Sequence, residues 1–243
     1  MELLTSSPIG DIDIDYFTDA RRDNTVPDAR AALRVVAKRI IDGGVEKFGT
    51  QMIIKTFPSI LTTFVDENPW LTTLFGETRT RNWKTLAPTV TAPVFMSRGQ
   101  ARPDRTEPSL AHTTRTDLHC EPISNVVVQT EGRKSWTLID PTYWKLLRPT
   151  VAPDGRAYFY SRLDPLSPTA LYHVPRYEIE TEAGDVLYVP TWTWHRVEYL
   201  QDSVAVSLSV FEFVPLDYLV RNFPLAVTLV PNIIKEAVGL KIQ

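Results

Sequence analysis

Cysteine is nearly absent from this chain of 243 residues, in which Cys120 is the single thiol. One cysteine cannot form an internal disulfide, and it cannot build the thiolate clusters of cysteine-rich zinc folds. Secreted disulfide scaffolds and those zinc folds are therefore excluded, and we expect an intracellular compartment, cytoplasmic or nuclear. Histidine is scarce as well, so imidazole chemistry has four candidates: His112, His119, His173 and His195.

The sequence also lacks a strong excess of one charge and a long apolar run. It has 26 basic and 29 acidic side chains, so we expect partners other than nucleic acid or an anionic membrane. The most apolar stretch, residues 223–238, is interrupted by Pro224, Pro231 and Lys235 and is shorter than the roughly 20 residues that a membrane helix needs. The N-terminus has no basic region followed by an apolar segment, so we predict no secretory signal.

The length and residue pattern of the chain predict one domain, because a single β-rich domain can reach about 250 residues. Near the start, apolar residues recur at helical spacing from Pro27 to Asp42. This pattern predicts an amphipathic helix that opens at Pro27 and stops before Gly43. We divide residues 1–243 into three parts: α/β elements in 1–104, a barrel core in 105–215 and a C-terminal helical segment in 216–243.

The middle of the chain consists of short β-branched or aromatic segments separated by Gly, Pro, Asp and Asn. Short strands at close spacing are typical of an antiparallel sandwich or barrel. Turns are predicted at Glu131-Gly132 and at residues 183–185. The expected fold class is therefore mainly β with flanking helices. The predicted strands are residues 126–129, 134–139, 157–160, 177–181, 186–189, 195–199 and 203–213.

The triplet His119-Cys120-Glu121 is the most informative piece of the sequence. On a strand, the two-residue period turns His119 and Glu121 to one face and Cys120 to the other. One imidazole and one carboxylate are two of the three ligands in the facial triad that binds non-haem Fe(II). His195, which opens a predicted strand, is the best third ligand. Alone, the triplet is weak evidence, since either histidine could be a hydrogen-bonded structural residue.

Two blocks around these residues resemble the JmjC and JmjC-like cupin family of Fe(II)- and 2-oxoglutarate-dependent oxygenases. The resemblance covers about residues 105–215 and leaves the first hundred residues unexplained. The first block is TDLHCEP, residues 116–122, followed by Asn125, Gln129, Gly132, Lys134, Trp136 and Pro141. The second block is EAGDVLYVP, residues 182–190, followed by Trp192, Trp194 and His195.

The resemblance implies a double-stranded β-helix, the jelly-roll barrel of cupins, and a hydroxylase that couples oxidative decarboxylation of 2-oxoglutarate by O2 to C–H oxidation. It implies that His119, Glu121 and His195 bind Fe(II). Lys134 would pair with the distal carboxylate of 2-oxoglutarate, whose burial unpaired would be costly. Spacing alone also allows Lys134 to be a solvated edge lysine.

The resemblance further implies that Thr116 and Asn125 form hydrogen bonds with the cosubstrate. Two positions depart from the family pattern. Glu121 stands where hydroxylases more often have Asp, although related demethylases also accept Glu at this position. Ser209 stands where hydroxylases of the asparagine-modifying type often have Asn, so it is assigned to the cosubstrate site. A carboxylate ligand argues against a halogenase, in which that ligand is missing.

Three questions stay open at this point. The substrate could be a polypeptide side chain or a small molecule. The segment from Pro215 to Ile242 could form a homodimer interface, as implied by related hydroxylases, or cap the barrel within one chain. The chain could also be a cupin-fold binding protein without turnover, or a metal-dependent cupin enzyme that uses no 2-oxoglutarate and for which Lys134 is incidental.

The remaining candidates carry weaker expectations. We expect Cys120 to be a small buried apolar residue, and His173 to lie on a surface loop rather than to contact substrate. His112 is expected on the strand that leads to Thr116, without a role. Trp192 and Trp194 either wall the substrate entrance or pack beside the barrel.

Overall fold

The computed structural model describes residues 1–21, 26–100, 113–152, 155–164, 167, 169–200 and 203–238. In these residues the chain is mainly β, with helices before and after the main run of strands, as the sequence predicts. The helices are α1 (Glu2–Thr5), α2 (Leu33–Ile41), α3 (Met52–Thr56), α4 (Ser59–Glu67), α5 (Trp70–Phe75), α6 (Glu77–Lys84), α7 (Pro215–Arg221) and α8 (Phe223–Ala237). The strands are β1 (Asp13–Tyr16), β2 (Ala29–Ala32), β3 (Lys47–Thr50), β4 (Val90–Thr91), β5 (Val94–Arg98), β6 (Arg115–Cys120), β7 (Ser124–Glu131), β8 (Lys134–Ile139), β9 (Pro149–Val151), β10 (Phe159–Ser161), β11 (Tyr177–Thr181), β12 (Val186–Val189), β13 (Trp194–Tyr199) and β14 (Val204–Glu212).

Most strands belong to two six-stranded antiparallel sheets. Sheet I has the order β11-β8-β13-β6-β10-β9, and sheet II has the order β12-β7-β14-β5-β3, with β4 also paired to β14. From β5 to β8, and again from β11 to β14, consecutive strands alternate between the two sheets. This alternation is the double-stranded β-helix, so the expected jelly roll is confirmed. The predicted barrel needs one correction, because the two sheets stay open rather than close into a single cylinder.

The turn from β7 to β8 carries the chain from sheet II to sheet I and depends on Gly132. Its φ is +66°, in the left-handed region, and a Cβ there would lie 2.3 Å from the carbonyl oxygen of Val204. Glycine alone fits both the conformation and the space. The turn predicted at Glu131-Gly132 is therefore confirmed, but it joins two sheets rather than two paired strands.

Alternation along β14 separates an apolar face from a polar one. Val206, Leu208 and Val210 are buried in a core shared with the N-terminal helices, whereas Ser207 and Ser209 line a cavity between the sheets. The N-terminal helices thus cover the outer face of sheet II. This packing leaves the inner face free for polar side chains.

The helix predicted from Pro27 to Asp42 is wrong in its first part. Residues 29–32 form β2, which pairs with β1, and α2 begins only at Leu33. From there the predicted periodicity holds, since Leu33, Val36 and Ile40 are fully buried. Local spacing could not show that the backbone of β2 bonds to an earlier strand.

All seven predicted strands are present. The segments 134–139, 177–181 and 186–189 have the predicted bounds. The other four shift at one or both ends by one or two residues, which is usual for strand termini: they are β7, β10, β13 and β14.

The predicted C-terminal helical segment consists of α7 and α8, which pack on the face of sheet I that points away from the cavity. Leu225 and Leu229 share a core there with Trp192, whose indole N–H donates to the carbonyl of Tyr218 at 2.9 Å. A homodimer through this segment stays a prediction. No helix in the described ranges is long and apolar enough to cross a membrane. The other side of the two helices exposes large apolar side chains: Leu216, Leu219, Val220, Phe223, Val227, Val230 and Ile234.

Glu212, the last residue of β14, ties that strand to α6. Its buried carboxylate accepts a hydrogen bond from Nε of Arg79 at 2.5 Å and another from the indole nitrogen of Trp83 at 3.1 Å. Replacing the carboxylate would leave the guanidinium without this counter-charge in a poorly solvated place. We expect Glu212→Gln to lower the free energy of unfolding by about 2–3 kcal/mol, measured by urea denaturation.

Glu180→Gln provides the matched control for this stability prediction. Glu180 pairs with Arg133 at the surface, where both side chains are more than half exposed. Exposed ion pairs contribute under about 1 kcal/mol. Equal losses of stability in the two variants would contradict the role assigned to Glu212.

Candidate metal centre

Three side chains suited to metal binding meet on sheet I. His119 lies near the end of β6, Glu121 follows that strand, and His195 lies near the start of β13. The two strands are antiparallel neighbours, and their register places His195 directly opposite His119. Ligand atoms from the three residues all lie within 4.8 Å of one another. Strand pairing thus brings the distant histidine to the triplet.

Backbone carbonyls orient both imidazoles. Nδ1 of His119 donates to the carbonyl oxygen of Asp117 at 2.7 Å, and Nδ1 of His195 donates to that of Thr193 at 3.0 Å. A carbonyl oxygen only accepts, so Nδ1 carries the proton and Nε2 presents its lone pair. Metal-ligating histidines are commonly fixed in this way through their second nitrogen.

Burial keeps both rings neutral. The pKa of His119 lies well below its usual value, because burial penalises the imidazolium and because a charged His195 would repel it. The ring centroids of the two histidines are 4.2 Å apart. Burial also lowers the pKa of His195. Neutral imidazoles are the form that binds a metal.

The donor set fits a divalent transition metal. Two imidazole nitrogens and one carboxylate oxygen are the donor set of the facial triad, which would leave coordination positions for other ligands. All three residues line the same cavity. Within the described ranges, this is the only cluster of three or more potential metal-ligating side chains.

The cavity lies between the two sheets and has a volume of about 490 Å³. That volume falls within the range of small-molecule sites, roughly 300–1,000 Å³. Sheet I contributes the three potential ligands together with Lys134 and Thr116, and sheet II contributes Asn125 and Ser209. The structure therefore brings all seven sequence-predicted site residues to one cavity.

Lys134, the first residue of β8, points its ammonium into this cavity. The residue is 2% exposed, its Nζ donates to the hydroxyl of Ser207 at 2.5 Å, and Nζ lies 4.7 Å from the centre of the Tyr199 ring. It forms no ion pair with any carboxylate in the described residues. Burial, with repulsion from Lys47, lowers the pKa of Lys134 to about 7. The solvated edge lysine that spacing allowed is thus ruled out.

A β-bulge brings Thr116 to the cavity. Between β6 and β13, His119 pairs with His195 and Thr116 pairs with Val197, so β6 has one more residue than its partner in this interval. Strict alternation would turn residues 116 and 119 to opposite faces. The extra residue of the bulge shifts the alternation of side chains by one position, so Thr116 and His119 both line the cavity.

Asn125 and Ser209 occupy the opposite wall. Asn125 is 5% exposed, and its side-chain oxygen Oδ1 has no hydrogen-bond partner. Ser209 is also buried. A buried amide oxygen without a partner is costly, so the wall has an acceptor suited to a bound donor.

Further charged and aromatic residues of the cavity have no counterpart in the sequence-based predictions. Lys47 comes from β3, in the part of the chain that the resemblance leaves unexplained, and Arg156 precedes β10 outside both motif blocks. Tyr158 and Tyr160 join their hydroxyl groups by a hydrogen bond. Sequence spacing has no signal for these residues, because the sheet topology alone brings them together.

The remaining sequence candidates lie away from the cavity. Cys120 is fully buried in the core against the C-terminal helices, as strand parity predicts, and burial raises the pKa of its thiol. Trp192 and Trp194 are fully buried in the same core, so they pack beside the sheet rather than wall an entrance. His173 is exposed, as expected for a loop. His112 lies outside the described residues.

Comparison with known proteins gives a family match over most of the chain. A family model described as a cupin-like domain matches residues 17–211. HSPB1-associated protein 1 of Rattus norvegicus and that of Homo sapiens are each 33% identical over 103 residues. Each alignment covers 40% of this chain and 21% of the relative, so the chain matches about a fifth of the length of these relatives.

The similarity to solved structures is low. The cupin domain of Schizosaccharomyces pombe Cnp3 overlaps with a TM-score of 0.32 and 9% sequence identity, over 57% of this chain and 68% of that one. A recombinant oxalate oxidase in complex with glycolate gives a TM-score of 0.31 and 10% identity, over 51% of this chain and 42% of that one. Overlaps at this level carry no argument about function.

Proposed function

We propose, on the premise that the chain belongs to the cupin-like domain family, that it is an Fe(II)- and 2-oxoglutarate-dependent oxygenase. The reaction would convert a C–H bond of the substrate, O2 and 2-oxoglutarate into a hydroxyl group, succinate and CO2. One observation carries the proposal. The three potential ligands and the buried ammonium of Lys134 line the same cavity between two sheets.

His119, Glu121 and His195 would hold the metal through two Nε2 atoms and a carboxylate oxygen. When bound, the iron and 2-oxoglutarate would supply the oxidising chemistry that neither histidine nor glutamate has. The chain's own contribution is to keep both imidazoles neutral and oriented. Burial keeps the rings neutral, and the carbonyls of Asp117 and Thr193 orient them through the hydrogen bonds from Nδ1.

Lys134 would bind the distal carboxylate of the cosubstrate. A buried ammonium is a suitable counter-charge for a carboxylate that enters a poorly solvated cavity. Thr116, Asn125 and Ser209 surround the same cavity and would hydrogen-bond the cosubstrate. The cosubstrate has only acceptor oxygens, so the amide Nδ2 of Asn125 would donate to it, and the unpartnered Oδ1 would accept from another donor in the cavity.

A polypeptide side chain is the favoured substrate. The curated relatives are named for their association with another protein, HSPB1, and this name supports a protein partner. A small molecule is the alternative.

The oxygenase proposal is tested by measuring metal binding, 2-oxoglutarate binding and 2-oxoglutarate turnover separately. Calorimetry should give one tight Mn(II) site per chain, and 2-oxoglutarate should bind to the Mn(II)-loaded protein. With Fe(II) and O2, the protein should release succinate from 2-oxoglutarate. Metal binding without 2-oxoglutarate binding would favour a cupin enzyme of another chemistry, and absence of both would favour a binding protein without turnover.

The affinity for 2-oxoglutarate should depend on pH through Lys134. The pKa of this amine is about 7 in the free protein, with Lys47 and Tyr199 as its ionisable neighbours. A bound carboxylate favours the ammonium and raises that pKa, so binding above pH 7 requires uptake of a proton. The affinity should fall by up to about tenfold per pH unit above pH 7 and change little between pH 6 and 7.

Calorimetric titrations at pH 6, 7, 8 and 9 measure this dependence. At pH 8, titrations in two buffers of different ionisation enthalpy count the protons taken up. An affinity that is flat from pH 7 to 9, with no proton uptake, would show that Lys134 does not pair with the cosubstrate.

A further inference from the structure

Gln51 is a cavity residue that the proposed function does not use. It lies at the edge of sheet II, directly after β3 and directly before α3, and belongs to neither motif block. It continues the alternation of side chains along β3, so that Lys47, Gly49 and Gln51 all line the cavity. The part of the chain that the family resemblance leaves unexplained thus supplies a partly buried amide to the cavity wall.

The backbone around Gln51 is held on both sides. The hydroxyl oxygen of Thr50 accepts a hydrogen bond from the N–H of Met52 at 3.2 Å, and the carbonyl oxygen of Gln51 accepts one from the N–H of Lys55 at 2.9 Å. Ile53, the second residue of α3, is 1% exposed and anchors this short helix in the core. Because the backbone is already fixed, a ligand that binds the side chain has little of the chain to order.

The side-chain amide of Gln51 forms no hydrogen bond with the described residues. Its Oε1 is buried without a partner, and the side chain does not cap α3. Its Nε2 has no partner among these residues either. The register of β3 with β5, continued by one position, places Gln51 beside Pro93, which has no N–H to donate. A buried amide oxygen without a partner costs free energy, and a bound donor removes that cost.

Two other buried side-chain amides are used to hold the backbone. Nε2 of Gln129 donates to the carbonyl oxygens of Glu131 at 2.6 Å and Val206 at 3.2 Å. Nδ2 of Asn232 donates to two backbone carbonyl oxygens, at 3.2 and 3.0 Å. The amide of Gln51 has no such structural use, and it lies at a cavity of about 490 Å³, which has room for a ligand.

We propose that Gln51 is a specificity-determining residue that binds an amide group of the substrate, donating from Nε2 and accepting at Oε1. The inference rests on the proposed function and gives its substrate a recognition feature. An N–H beside a carbonyl matches both atoms of the glutamine amide, whereas a carboxylate only accepts and an ammonium only donates. The last side-chain torsion of glutamine is broad, so a small rotation turns Oε1 toward the ligand. A small primary carboxamide and one extended residue of a polypeptide both present this pair of groups.

Two cyclic dipeptides test the site in the metal-free protein. Cyclo(Gly-Gly) presents an N–H and a carbonyl on one edge, and its N,N′-dimethyl derivative has the same ring without the N–H. Binding is followed by saturation-transfer NMR of the probe. The wild type should bind cyclo(Gly-Gly) at least about tenfold more tightly than the dimethyl derivative, and Gln51→Met should remove this preference. Equal affinities of the wild type for the two probes would contradict the amide site without reference to any variant.

Gln100→Met is the matched control. Gln100 lies outside the cavity, and its amide forms one long hydrogen bond, of 3.4 Å, to the carbonyl oxygen of Gly44. This variant should keep the wild-type preference. Urea denaturation separates binding from structure, because Gln51→Met should not lower the free energy of unfolding, whereas Gln129→Met should. A preference that persists in folded Gln51→Met, or a loss of stability equal to that of Gln129→Met, would overturn the proposal.

Failure of this site can be told apart from failure of the proposed function. The cyclic dipeptides need neither metal nor cosubstrate, so a protein that discriminates between them but binds no Mn(II) and no 2-oxoglutarate has the amide site and is not the oxygenase. The source of the amide is tested by succinate release with a pool of random peptides and a pool of small primary carboxamides, each beside its N-methylated counterpart. Stimulation that either pool loses on N-methylation, and that Gln51→Met also loses, supports the proposal. Stimulation by neither pool beyond its counterpart contradicts it.

Discussion

His119→Ala should lower the affinity for Mn(II) by at least about 100-fold. Loss of groups that merely orient a ligand typically costs 10–100-fold in metal affinity, so loss of a ligand itself should cost more. Two features give His119 this weight. Its Nε2 lies 3.9 Å from Oε1 of Glu121, and its Nδ1 is fixed by the carbonyl of Asp117. Alanine removes the nitrogen, and no other described histidine replaces it at this site.

The measurement is a titration of free Mn(II), followed by its magnetic resonance signal, which needs neither cosubstrate nor turnover. His173→Ala is the matched control, because His173 is an exposed histidine outside the cavity. This variant should bind Mn(II) as the wild type does. Near-ultraviolet circular dichroism establishes that both variants are folded. Undiminished Mn(II) binding by folded His119→Ala would remove the metal centre from the proposal.

The sequence predicts some residues of this centre and not others. Strand parity alone turns His119 and Glu121 to one face and Cys120 to the other, and the structure agrees. The third residue, His195, is a candidate from its place at the start of a predicted strand, and the family resemblance implies its role as a ligand. Local pattern cannot show that it is a neighbour of His119, because that depends on the pairing of β13 with β6. Parity is wrong for Thr116, since the bulge in β6 is a property of the paired strands and not of either one.

The fold, like the metal centre, has parts that the sequence predicts and parts that it does not. Bounds of short strands such as β8 and β11 follow from side-chain pattern and flanking turns. The assignment of β7 and β8 to opposite sheets does not follow from the sequence, because a turn at Gly132 could serve a hairpin as well as a crossing between sheets. The first part of the predicted helix fails for a related reason. Residues 29–32 are acceptable helix formers. Pairing with β1 nevertheless satisfies their backbone hydrogen bonds and overrides their local preference for a helix.

Lys47 and Arg156 are cavity residues that sequence motifs could not identify. Neither residue belongs to a recognisable motif, and β3 lies at the edge of its sheet, far from the motif blocks in sequence. They share the cavity wall with Lys134 only after both sheets have formed. Which charged residues share a cavity is therefore a property of the assembled fold, and neither composition nor the net charge of −3 predicts it.

Lys134→Met should weaken 2-oxoglutarate binding by about 100-fold or more while Mn(II) binding is unchanged. Truncating one member of a buried charge pair costs about 2–5 kcal/mol in binding, and each 1.4 kcal/mol is tenfold. Methionine fills similar space without the charge, so the cavity shape changes little. Lys134→Arg keeps the charge and should lose less affinity. Calorimetric titration of 2-oxoglutarate into the Mn(II)-loaded variants measures the difference.

The same substitution should not destabilise the ligand-free protein, and this separates a binding role from a structural one. Burial holds the pKa of Lys134 at about 7, below that of an unfolded lysine, so the unfolded chain binds more protons between pH 7 and 10. Lys134 therefore costs stability that is regained as pH rises through this window. Lys134→Met should unfold at an equal or higher urea concentration at pH 7, with a smaller rise in stability toward pH 10 than the wild type. If the folded variant instead binds 2-oxoglutarate as tightly as the wild type, Lys134 is incidental, and a metal-dependent cupin enzyme without 2-oxoglutarate becomes the better description.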